Sequence, residues 1–247
     1  MVDMLLKQTI GLMRKWNKYY GIRYFAESYF FTVLYGTIFV SYGKEVELMT
    51  VIMGYKTPNK IYLGADNRTS TVDNTPIRDD VNKIVTVNDN VAVAFSGYHG
   101  TQIMFENMTK NSSKDFKVED ALRCIKIIYW ICKIPWYKKY AKNILQYGSR
   151  FIVAGKNRKD EYCIYTMSIL NGKLEKPSLT DRFMFPPDDV DAKVCVDIYA
   201  INATNYHSDF IQNTVKDIAK ISKLVSSSGD IWTYDLNTDT SNSEHFN

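Results

Sequence analysis

The 247-residue chain is poor in the residues that usually hold metals or staple small folds. It has three histidines and four cysteines, and Cys124, Cys132, Cys163 and Cys195 form no Cys-x-x-Cys pair. That composition argues against a zinc site and against a disulfide framework. Lys and Arg form no run, and a formal net charge of only +4 gives nucleic-acid binding no support. The most apolar run, Tyr29 to Tyr42, covers fourteen residues, short of the roughly 18–20 needed to cross a bilayer. No repeat or low-complexity tract is present, and the sequons at Asn67, Asn107, Asn111 and Asn202 lack a secretory context. These absences leave a reduced, cytoplasmic protein for which no metal, cofactor or nucleic acid is expected.

Apolar residues make up 45% and charged residues 23%, the proportions of an ordinary globular domain. Residues 1–48 stand apart, with eleven aromatic side chains and six basic residues against four acidic ones. Three readings compete for this extension. It could be a membrane-surface anchor, a propeptide, or sequence upstream of a mis-assigned start. The third is preferred, because Met49 directly precedes Thr50 and Glu45-Val46 permits a purine-rich ribosome-binding run before a Met49 codon. Membrane contact follows only if residues 1–48 are real and retained.

From Thr50 onward strands alternate with turns. Val51 to Tyr55 and Ile61 to Gly64 flank a turn at Pro58-Asn59, and Asp73 to Pro76 makes another turn. Asn88-Asp89-Asn90 joins Ile84–Val87 to Val91–Phe95 as a hairpin. Helical periodicity then takes over: Thr101–Lys110, with Ile103, Met104 and Met108 on one face, Val118–Cys132, and Trp136–Leu145 after Pro135. Strands return at Phe151–Gly155 and Glu161–Met167, with a turn at Asn171-Gly172. Val194-Cys195-Val196 reads as a short strand leading into one helix from about His207 to Val225, and Ile231–Leu236 as the last strand. The polar residues 237–247 read as a flexible tail.

Four features fall in register between Thr50 and Gly97: a Thr heading a strand, the turn Ala65-Asp66-Asn67-Arg68, Lys83 beside the next strand, and Ser96-Gly97 closing a third. In order and spacing they resemble the N-terminal half of a proteasome β-type subunit, an N-terminal-nucleophile hydrolase. The resemblance spans Thr50 to about Leu236. It implies an α+β fold, a four-layer αββα sandwich over residues 50–236, with Thr50 as nucleophile. The chemistry suits those residues. A Thr that begins a chain can use its own α-amine as base toward its Oγ. That amine has an ordinary pKa of about 7.7–8.0, and a neighbouring Lys83 ammonium lowers it further. Asp66 would hold Lys83, and the N–H of Gly97 would face the oxyanion, a donor of a kind worth roughly 2.7–4 kcal/mol.

The resemblance also assigns Ser228, in Ser226-Ser227-Ser228-Gly229-Asp230, as a supporting serine, and Thr69, Val81, Val85, Phe95 and His99 as residues facing the substrate. Phe95 is expected either to narrow the pocket or to belong to the core. Two departures stand out: the family's Asp falls at Val225, and its Gly-Ser-Gly-Ser segment is replaced by Arg182-Phe-Met-Phe-Pro-Pro-Asp-Asp189. The expected activity is that of a threonine-type peptidase or amidohydrolase acting on a peptide or protein, with amide transfer or a non-catalytic scaffold as alternatives. A homo-oligomer is a further expectation of the resemblance.

Overall fold

The computed structural model describes residues 51–71, 73–134, 142–205 and 209–247. The N-terminal extension, Thr50, and the region of Pro135, Trp136 and His207 lie outside the described residues. Among the described residues the fold is mixed α+β, with antiparallel sheets and helices.

The site begins in a hairpin. β1 (Ile52–Lys56) and β2 (Lys60–Asp66) pair antiparallel across the expected turn, where Thr57 Oγ1 accepts the Lys60 N–H at 2.9 Å. β11 (Arg182–Phe185), β12 (Gly229–Asp235) and β13 (Thr240–Phe246) complete this sheet in the order β11-β1-β2-β12-β13. A second sheet runs β10 (Ser178–Thr180), β8 (Tyr162–Leu170), β7 (Ser149–Lys156), β6 (Val91–Gly97), β5 (Ile84–Asn88), and β9 (Lys173–Leu174) pairs with β8. β3 (Thr69–Ser70) and β4 (Pro76–Arg78) form a small ribbon between β2 and β5 in sequence. Asn88 sets the β5–β6 turn, its Oδ1 accepting the Asn90 N–H at 2.9 Å.

Alternation along the strands divides the core. Ile52, Ile61, Leu63 and Trp232 of the first sheet pack with Ala92, Ala94, Ile152 and Ile164 of the second. The other face of β1 and β12 gives Met53 and Ile231 to a separate cluster with Cys195, Tyr199, Phe210, Ile211, Val215 and Ile218. Those residues lie on α4 (Ala192–Asn205) and α5 (Phe210–Ala219). Three further helices are α1 (His99–Thr109), α2 (Val118–Lys133) and α3 (Lys142–Tyr147). α2 buries Val118, Ala121, Leu122, Ile125 and Ile128 as an apolar stripe, and its ends carry Glu119 and Asp120 against Lys133, the signs that the helix dipole favours.

Three expectations are corrected. Val194-Cys195-Val196 is helical, because Cys195, Tyr199 and Asn202 at i, i+4 and i+7 place a helical stripe inward, while Val194 and Val196 are exposed. The inward face of α1 is Thr101, Met104, Phe105 and Thr109, with Ile103 and Met108 only half-buried. Residues 237–247 are not a flexible tail: β13 pairs with the whole of β12, from Gly229 opposite Phe246 to Asp235 opposite Thr240. A backbone ladder needs no apolar side chains, and Phe246 alone anchors the strand in the core.

All four cysteines are free, and burial pushes the thiols of Cys124, Cys132 and Cys163 up to about 12 and raises that of Cys195. Among the described residues no helix is long and apolar enough to cross a membrane.

Candidate active site

β2 ends in Asp66, whose carboxylate is fully buried. Burial of this kind is costly unless the charge is paired and hydrogen-bonded. Here Oδ1 meets Lys83 Nζ at 3.3 Å and accepts the Val51 N–H at 3.1 Å, while Oδ2 accepts N–H groups from Arg68 at 2.9 Å and Ser226 at 3.1 Å. Burial holds the Asp66 carboxyl above its ordinary value, and the Lys83 ammonium with the Arg68 and Ser226 N–H groups offsets part of that rise. Lys83 is itself buried and donates a second hydrogen bond to the Arg68 carbonyl. The turn Ala65–Arg68 thus binds the lysine with both a side chain and a backbone oxygen.

β5 begins at the residue after Lys83, and β6 runs alongside it, with the Phe95 N–H donating to the Lys83 carbonyl at 2.9 Å. Two residues on, Gly97 closes β6 with φ +99, and a Cβ there would lie 2.6 Å from the Gly148 carbonyl and 2.8 Å from Ser149 Cα. Glycine is therefore required by the backbone itself, before any substrate is considered.

The structure brings together Asp66 and Lys83, and draws the serine run to them by Ser226 rather than Ser228. Ser226 is buried, donates its N–H to Asp66, and its Oγ accepts the Asn67 N–H at 3.2 Å. Ser228 stands one shell out, its Oγ 3.2 Å from Ser226 Oγ. Three consecutive serines look alike in sequence, so nothing local marks which one turns inward. Arg68 is the other residue whose role was not legible. Its guanidinium grips both carboxylate oxygens of Asp79 at 2.7 Å and donates to the carbonyls of Lys223 and Val225 at 3.1 Å. Val225 is buried in the apolar cluster.

The residues expected to face substrate have different surroundings. Thr69 is buried with an unpartnered Oγ1, and Val81 is buried with its N–H on the Asn67 carbonyl at 3.2 Å. Val85 and His99 are half-buried. Phe95 is 5% exposed, its ring 5.2 Å from Phe105 on α1 and 5.6 Å from Phe151 on β7. It is part of the packing between the second sheet and α1. Among the described residues no cluster of His, Cys, Asp and Glu is arranged to hold a metal ion.

The fold is mixed α+β, with antiparallel sheets and a buried Lys83–Asp66 pair where β2 ends. The chain belongs to the proteasome subunit family, whose model matches residues 46–177, more than half of its length. No curated protein matches the chain. The family match takes in Asp66, Lys83 and Gly97 and ends before α4, α5 and the Ser222–Ser228 segment.

Proposed function

We propose that the chain is a threonine-type peptidase or amidohydrolase whose nucleophile is Thr50, acting once residues 1–49 are absent. The observation that carries this is the buried Lys83–Asp66 pair bonded to the N–H of Val51, the residue that follows Thr50 in the chain. Thr50 itself lies outside the described residues. In the proposed reaction the free α-amine takes the Oγ proton as Oγ attacks the amide carbon, and Lys83 keeps that amine unprotonated by like-charge repulsion. The Gly97 N–H stabilises the oxyanion. The proton passes to the leaving amine as the C–N bond breaks, and water then hydrolyses the ester. An amine in place of water gives amide transfer by the same acyl-enzyme. Thr69, Val81, Val85 and His99 are proposed to meet the substrate side chain, with Phe95 behind them.

Around this site we propose the four-layer αββα stacking, supported by one apolar cluster shared between the sheets and another shared with α4 and α5. The proposed catalytic domain begins at Thr50 and extends through β13. A homo-oligomer in the cytoplasm is the proposed working form, the former because subunits of this family typically oligomerise.

One observation favours a second reading, a non-catalytic scaffold subunit: Val225 is apolar and buried where the family pattern carries an acid. Intact mass of protein from its own host separates the two, with a chain beginning at Thr50 expected for the hydrolase. Thr50→Ala should abolish both peptide-amide turnover and labelling by electrophiles that trap an N-terminal Thr. Full turnover by Thr50→Ala, or Met1 retained on the bulk of active protein, overturns the hydrolase.

A further inference from the structure

Asp189 ends the stretch that departs from the family pattern, and its exposed carboxylate reaches toward the site. Oδ1 accepts the Ser222 hydroxyl at 2.7 Å and Oδ2 the Lys223 N–H at 2.7 Å. Ser222 Oγ in turn accepts the Leu224 N–H at 3.0 Å. From the opposite side, Arg68 Nη1 holds the carbonyls of Lys223 and Val225. The next residue delivers its N–H to Asp66 Oδ2, and the Ser226 hydroxyl donates to the Ser228 carbonyl at 2.8 Å.

Leu224 and Val225 anchor the middle of the segment in the core, but the three serines that follow carry no side-chain pattern to set their own register. Here side chains set it from outside, group by group, and the two charged ones make the stronger bonds. We propose that Asp189 and Arg68 are positioning residues that fix the register of Ser222–Ser228, so that Ser226 rather than Ser228 is presented to the Asp66 carboxylate. The proposal rests on the reading of Asp66 as the group that holds Lys83 in a hydrolytic site. Asp189 and Arg68 touch no reacting atom. They act through the Ser226 N–H, a bond that favours the ionised Asp66.

Amide exchange of the full-length protein, followed residue by residue, tests it without substrate. Asp189→Ala removes both acceptors and Asp189→Asn keeps one. The Ser226 amide should exchange about tenfold faster in Asp189→Ala, with Asp189→Asn between, and amides of β6 and β7 unmoved. Arg68→Lys, which keeps the charge and loses the fork, should loosen the same amide, and serves if Asp189→Ala does not fold. In turnover, kcat should fall at constant KM, and the acid limb of the pH profile should move to higher pH as Asp66 loses a donor. Unchanged Ser226 exchange in these variants overturns the proposal whether or not the protein is active. Responding amides in a chain that begins at Thr50 and yet turns over no peptide amide support the positioning role and count against the threonine-hydrolase reading alone.

Discussion

The Asp66 carboxylate has no exposed surface and the Lys83 ammonium little, so water cannot relieve either one when the other is removed. Lys83→Met should therefore cost about 3–5 kcal/mol of stability as well as activity, because it strands a buried charge. The double variant Lys83→Met/Asp66→Asn should regain much of that loss while remaining inactive. Urea denaturation of the two proteins decides the matter. Equal destabilisation would mean that the pair is not coupled. Asp66, Lys83 and Gly97 were legible together because their order and spacing after Thr50 resemble the family pattern, and the structure pairs Asp66 with Lys83 and gives Gly97 a positive φ. Ser226 and Asp189 were not. Their importance comes from hydrogen bonds across the fold, Asp189 to Ser222 and Ser226 to Asp66, which no local spacing encodes.

β13 was illegible for a related reason. Thr-Ser-Asn-Ser-Glu-His-Phe has neither apolar alternation nor strand propensity throughout, and its pairing with β12 comes from the backbone ladder. α4 misled in the opposite way, since Val194, Val196 and Ile201 are apolar on its exposed side and blur the helical period. A titrating link from β13 to β12 is His245, whose Nδ1 lies 3.0 Å from Asp230 Oδ1 while Asp230 Oδ2 accepts Asn67 Nδ2 at 2.9 Å. Asp230, and then Asn247, raise the His245 imidazole above its ordinary value. A raised folded value means that folding favours the protonated ring. Its stabilisation is complete below the ordinary histidine value of about 6.5 and vanishes as the pH climbs through the folded value. Thermal midpoints should accordingly fall with rising pH across that window, modestly because the ring is half-exposed. His245→Gln should flatten the dependence. A slope that persists in His245→Gln would assign it to another group.

Across the whole molecule the two sheets are fastened at one end by a polar knot. Tyr234 of β12 donates to Asp239 at 2.7 Å, Lys156 of β7 reaches the same carboxylate at 3.1 Å, and Tyr162 of β8 donates to it as well. The Tyr162 and Tyr234 hydroxyls and the Lys156 ammonium hold Asp239 far below the usual carboxylate range. A depressed acid contributes stability above its unfolded value and loses it only as the pH falls through the folded one, so the knot should survive well into acid. Asp239→Asn should lower the neutral midpoint, and its difference from the parent protein should shrink as the pH falls toward the folded value. An unchanged neutral midpoint would show that the knot closes nothing. Three buried thiols and the half-buried one of Cys124 bear on how the chain can be interrogated. Thiolate, not thiol, is the reactive form, and with every cysteine pushed toward the neutral thiol the folded chain should react only slowly with soft electrophiles. A covalent adduct gained under native conditions then reports a nucleophile other than sulfur. Denaturant supplies the internal standard by adding four more.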